Sequence, residues 1–167
     1  MLYTKDLSQS ECKEFLLNSS FGRIACSQND QPYVVPFNFA FDGKEHLYAF
    51  STLGQKIFWM RENPLVCVEA ERIGGEDSWT TVIAFGRYQE LFDKTEKDYA
   101  HELLANRAKW WKPAYLAGMH REEVEEKPVY FRVAIEKMSG RAVFSGDIET
   151  ALKKSAKNLK LETRGLW

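Results

Sequence analysis

The chain has 167 residues, of which 44% are hydrophobic, 28% charged and 14% aromatic, and 23 Lys+Arg against 24 Asp+Glu leave a formal net charge of −1. That length suits one domain, 1–167, able to bury roughly two-thirds of its surface without disulfide or metal staples. The near-neutral balance excludes the basic field that gathers nucleic acid or an anionic membrane, and the short apolar runs exclude a membrane-spanning helix.

The first predicted element is a short helix. Ser8 with Glu11 three residues later has capping-box form, Leu7 is placed to staple against Cys12, and Phe15 and Leu16 continue the apolar face. Phe21-Gly22 ends it, and from Gly22 the period changes to strands. Residues 22–28, 33–41 and 46–51 are short, aromatic or β-branched and separated by turn residues, which predicts a three-stranded antiparallel meander. Asn29-Asp30 lies in the first connection; Asp42-Gly43 in the second is the dipeptide that a type I′ hairpin prefers.

Thr52 and Gln55 have capping-box spacing, which predicts a helix from Thr52 that closes before Pro64. A strand over 65–71, the loop IGGEDS and a long strand over 79–92 follow, with Gly86 marking a bulge or a close backbone approach. Residues 95–109 have helical periodicity ahead of Trp110-Trp111. A charged stretch from His120 to Lys127 precedes a last strand over 129–138, and 147–159 reads as a helix capped by Asp147. The fold class is therefore mainly β, a β-barrel with peripheral helices, with a barrel core over about 22–138.

Several chemistries have no support in the sequence. There is no GxGxxG, GxxxxGK[ST] or GxSxG segment, and His46, His101 and His120 are far apart without metal-ligand spacing. Cys12, Cys26 and Cys67 are odd in number and widely spaced in apolar surroundings, so they read as reduced thiols. The N-terminus lacks the basic-then-apolar order of an export signal, which makes a cytoplasmic location the expectation.

Residues 51–56 are more informative. Ser51, Thr52, a glycine, Gln55 and Lys56 converge where a strand ends and a helix begins, the place where free N–H groups and the positive end of the helix dipole gather. Lysine in a first turn is disfavoured unless an anion lies between, and phosphate fits that description. A capped helix with an exposed lysine explains the same residues. Pro36 interrupts an otherwise β-forming run, so backbone around Val35, Pro36, Phe37 and Asn38 is free to bond something other than a strand. The Asn38 amide offers both donor and acceptor there, or is an outward-facing edge residue. Trp79, Thr80 and Thr81 set an aromatic beside hydroxyls at a strand start. Together these form a phosphate pole, a polar strand edge and aromatic walls, the requirements of a flat phosphorylated ring system.

GRIACSQNDQPYVVPFNFAFDGKEHLYAFSTLGQKIFWMRENPLVCVEA followed by WTTVIAFGRYQEL resembles the pyridoxamine 5′-phosphate oxidase-like FMN-binding split barrels, nearest the nitroimidazole-reductase flavoproteins. The resemblance implies a six-stranded antiparallel split barrel that forms a homodimer with two FMN sites at the subunit interface. It assigns the phosphate to Ser51, Thr52, Gln55 and Lys56, the isoalloxazine to Val35, Pro36, Phe37 and Asn38, and a further wall to Trp79, Thr80 and Thr81. Many relatives have arginine where this chain has Gln55, one charge fewer toward a dianion. The C-terminal segment ETRGLW has Arg164 but no histidine, which argues against oxidation of pyridoxamine phosphate itself. The implied function is an FMN-dependent oxidoreductase passing electrons from a reduced nicotinamide to a small-molecule acceptor. The alternative is a non-catalytic module on the same barrel holding flavin or haem for storage or sensing; the sequence leaves open whether a deazaflavin replaces FMN.

Overall fold

The computed structural model describes residues 2–107 and 128–145. Its elements are β1 (Leu2–Asp6), α1 (Gln9–Leu17), β2 (Phe21–Gln28), β3 (Gln31–Asn38), β4 (Ala40–Phe41), β5 (His46–Ser51), α2 (Gln55–Glu62), β6 (Leu65–Gly75), β7 (Ser78–Glu90), α3 (Lys94–Ala105) and β8 (Val129–Ser145). The sequence readings at Trp110-Trp111, over the charged stretch and over 147–159 lie outside the described residues. Among the described residues no helix is long and apolar enough to cross a membrane.

Every strand pairing is antiparallel, in the order β3-β2-β6-β7-β8-β5-β4, with β1 added to the far end of β8. The mainly β split barrel is the expected class. Its sheet counts eight strands because β4 is a two-residue pairing and β1 is an edge strand. The inner face and two helices close on one core, in which Phe39, Phe41, Leu47, Ile57, Met60, Val82, Phe131 and Val133 are fully buried. A satellite cluster of Tyr48, Leu91 and Ala100 seats α3.

The capping box of α1 forms as expected: Ser8 Oγ accepts from the Glu11 amide, and the Glu11 carboxylate accepts from the Ser8 amide. Other local expectations change. The meander breaks after β3, which among the described residues pairs only with β2, whereas β5 pairs with β4 and β8. The five consecutive residues Phe37 to Phe41 are all buried, so the chain there crosses the barrel instead of alternating between its faces. The two-residue turn with both residues at positive φ is Asn29-Asp30, at 49° and 62°, between the paired Gln28 and Gln31. Asp42-Gly43 instead opens a longer loop, in which only Gly43 has positive φ.

Asp42 organises that loop. Its Oδ1 accepts from the amides of Lys44, Glu45 and His46 at 2.8, 3.0 and 3.1 Å, and its Oδ2 meets His46 Nδ1 at 3.2 Å. Burial pushes the carboxyl up, but these bonds outweigh it and hold the group below its ordinary range. A depressed folded pKa gives stability that is present above the unfolded value near ~3.9 and lost as pH falls through the folded one. Asp42→Asn is therefore expected to unfold at a lower temperature at pH 7 and to show a flatter decline between about pH 5 and 3. Thermal unfolding followed by circular dichroism at several pH values checks this.

β6 and β7 extend almost to each other, leaving Glu76-Asp77 as the turn and a register shift at Ile73/Gly75 in place of a six-residue loop. β8 runs past Met138 to Ser145 because Gly140 lets α1 come close: a Cβ there would lie 2.8 Å from Leu7 Cδ1 and 2.9 Å from Cys12 Sγ. This extension is what β1 pairs with, and a five-residue edge strand carries too little pattern to read alone.

Candidate functional site

The Pro36 segment is β3, which has hydrogen-bonded partners on one side only among the described residues. A proline without an N–H is tolerated at such an edge. Strand alternation divides the four expected residues. Val35 and Phe37 turn into the core, so only their backbone is available, while Pro36 and Asn38 take the opposite parity with the exposed Val34. Asn38 is nevertheless 9% exposed, and among the described residues neither its Nδ2 nor its Oδ1 has a hydrogen-bond partner. An amide buried in this state costs about 1–3 kcal/mol per unmet group, so its retention calls for a partner that the described residues do not supply.

The second group surrounds the start of α2. Ser51 ends β5 opposite Val129, is buried, and donates its Oγ to the Thr52 carbonyl at 2.9 Å. Thr52 does not cap the helix, contrary to its capping-box spacing. The N-cap is Gly54, with no side-chain bond, and the first amides to find helical acceptors are Ile57 and Phe58, both on the Gly54 carbonyl. The amides of Gln55 and Lys56 therefore lie in the unpaired first turn. Gln55 is exposed. Lys56 is half-buried, turned toward Cys26 on β2, and has neither a hydrogen bond nor an ion pair among the described residues. Burial pushes its ammonium below the ordinary lysine range, only partly opposed by the Cys26 thiol. The far end of α2 is fastened well, with Arg61 on Glu90 of β7 and Asn63 on Ser27 of β2.

Trp79, Thr80 and Thr81 open β7 and are half-buried. Thr81 Oγ1 donates to Glu69 Oε1 at 3.1 Å, and Glu69 and Glu71 both accept from Arg23 Nη1, at 3.1 and 2.8 Å. Arg23 pairs with Pro36 across the β2–β3 ladder, so this network adjoins the Pro36 edge. No local motif marks it, since its members are up to 58 residues apart in sequence. Cys26 faces Tyr33 in the ladder, which places Lys56 near the Tyr33 level, with Pro36 and Asn38 about 10 and 17 Å further along β3. Along β8 the Trp-led strand and the end of β5 pair at different levels. Ser51 lies opposite Val129 and Thr80 opposite Ala142, thirteen residues apart on β8, or about 40 Å of strand. A shallow cavity of ≈ 280 Å³ between Ala25, Cys26, Ser27, Leu65, Val66, Cys67 and Phe85 contains none of the expected site residues.

The family model described as pyridoxamine 5′-phosphate oxidase matches residues 8–142. An uncharacterized protein of Rhizobium meliloti (strain 1021) is 34% identical over 152 residues, covering 88% of this chain and all of the relative. Among solved structures, an FAD-binding protein of Mesorhizobium loti is 37% identical with a TM-score of 0.71, covering 87% of this chain and 100% of that one. A proposed 5-nitroimidazole antibiotic resistance protein of Bacteroides thetaiotaomicron shares the fold at 18% identity and a TM-score of 0.60, over 86% of this chain and 92% of that one. The edge proline, the uncapped helix start and the Trp-led strand stand here on the barrel that these proteins share, and the chain belongs to the pyridoxamine 5′-phosphate oxidase family.

Proposed function

We propose that the chain binds a flavin as FMN, in a homodimer whose two sites lie at the subunit interface, and passes electrons from a reduced nicotinamide to a small acceptor. The observation that carries this reading is the buried Asn38 amide, both of whose polar atoms are unmet among the described residues, on a strand that those residues pair along one edge only. A planar heterocycle with alternating donors and acceptors is the partner such a group and a bare strand edge require. Lys56 and the free first-turn amides of α2 would hold the phosphate, and Thr52 adds an exposed hydroxyl.

The spacing along β8 supports the two-subunit part of the reading. Ser51 and Thr80 are thirteen residues apart along β8, and in a dimer a second copy would bring its own Trp-led strand to the first copy's helix start. When bound, the flavin supplies the redox chemistry, and the protein supplies orientation and polar contacts. His46 and His101 are engaged with Asp42 and the Tyr130 hydroxyl, which disfavours either as a haem ligand.

Titration of the flavin-free chain with FMN, FAD and riboflavin, followed by fluorescence quenching, tests the cofactor. The expected order is FMN tightest and riboflavin weakest; FAD is the competitor because the Mesorhizobium loti relative is an FAD-binding protein. Sedimentation of the loaded protein is expected to give a dimer. Anaerobic bleaching of the bound flavin by NADH or NADPH separates an oxidoreductase from a carrier. Failure of all three flavins to bind would overturn the proposal.

A further inference from the structure

Ile57 and Met60 seat the helix that presents Lys56 in the core, but its polar fastenings are at one end. Its N-terminus has no side-chain cap, whereas at its last turn Arg61 sets Nε and Nη2 on the two oxygens of Glu90, each at 2.8 Å. The Tyr88 hydroxyl adds a third bond to Glu90 Oε2 at 2.8 Å, and Asn63 Nδ2 reaches the carbonyl and hydroxyl of Ser27 at 3.0 and 3.2 Å. Tyr88 is a core residue that packs on Phe131, so the fork is rooted in the barrel interior. The Arg61 and Glu90 side chains are 40% and 11% exposed, against 87% and 64% for the Lys94–Asp98 pair. A two-pronged bond in that surrounding fixes direction, which an exposed pair does not. Arg61 and Tyr88 hold the Glu90 carboxyl below its usual range, and burial with the neighbouring carboxylate pushes the Tyr88 phenol up.

We infer that Arg61, Glu90 and Tyr88 are positioning residues for the phosphate end of the flavin site, aiming the first turn of α2 and the Lys56 ammonium from the opposite end of the helix. This rests on the flavin reading above. An eight-residue helix is about 12 Å long, so a tilt of about 10° at the fork moves the first turn by about 2 Å, more than the tolerance of a hydrogen bond. The fork thus acts on a phosphate that it never touches, and a ligand without phosphate is indifferent to it.

The test is the ratio of FMN to riboflavin affinity in the full-length chain. Glu90→Gln removes the charge and half the fork, Arg61→Lys keeps the charge and loses the fork, and Tyr88→Phe removes the third bond. Glu90→Gln and Arg61→Lys are expected to weaken FMN about tenfold and Tyr88→Phe about threefold, with riboflavin unchanged within about twofold. Equal weakening of both ligands would make the fork a general anchor of the barrel and overturn the inference, as would an unchanged ratio. If Glu90→Gln does not fold, the two milder variants decide. A wild-type chain that binds riboflavin as tightly as FMN overturns the phosphate reading itself; a wild-type preference that the variants retain overturns the fork alone.

Discussion

Lys56→Met is expected to weaken FMN binding by about 2 kcal/mol, roughly thirtyfold, and to leave thermal stability unchanged or raised. The two effects have one origin. Among the described residues the half-buried Lys56 ammonium has no counter-charge and no hydrogen bond, and burial already pushes it toward its neutral form, a desolvation cost that those residues do not offset. Methionine keeps the length and apolar stem while removing that cost. A phosphate dianion would repay it, because a charge-assisted bond in a partly dry site is about twice as strong as a neutral one. Isothermal titration with FMN and a thermal melt of the flavin-free chain check both parts. A variant that loses stability and keeps its affinity would make Lys56 a structural residue.

Gly86→Val is expected to destabilise the barrel by about 3 kcal/mol or more, enough to abolish most soluble expression. A Cβ at Gly86 would lie 2.3 Å from the Ala134 carbonyl oxygen, 2.9 Å from Val133 Cγ1 and 3.0 Å from the Ala134 carbonyl carbon. Two of these atoms are backbone of the adjoining strand and cannot rotate away. The contact falls at the register shift between Phe85 and Gly86, where β7 bends against β8, so relief would require unpicking the longest ladder in the sheet. Gly54→Ala is the control. Its added carbon meets nothing within 4 Å and its backbone is extended, so the melting temperature is expected to stay within about 2 °C. Urea unfolding of the three proteins measures the difference.

These two residues show how far the sequence could be read. Gly86 was legible as a bulge or close approach because a glycine inside a β-forming run has few other reasons to be there, and Lys56 because a lysine in a first turn opposes the helix dipole. The Ser8–Glu11 cap and the strands around Asn29-Asp30 follow from short-range pattern in the same way. Long-range pairing left no such mark. Nothing in LYTKD announces that β1 will lie beside Ser145, and nothing local tells β3 to stop at one edge while β5 crosses to β8. The capping box of Thr52 and Gln55 misled because spacing alone does not hold a hydroxyl over an amide; Ser51 turns the chain and Gly54 takes the cap position. Within the candidate site, the residue types at Asn38 and Lys56 were readable. Their unmet bonding was not, since it depends on what surrounds them in space.

The long last strand has a consequence for how the molecule is made. β8 supplies the partner of β5, of β7 and of β1, whose residues Leu2 to Asp6 wait for Ser145 to Arg141. During synthesis the first hundred residues leave the ribosome with three open ladders and no strand to fill them. Closure is a late event of high contact order, slow by its topology. Until it happens the strand edges stay open to pairing with other chains, and the prolines at positions 32 and 36 of β3 guard an edge that, among the described residues, stays unpaired in the finished barrel.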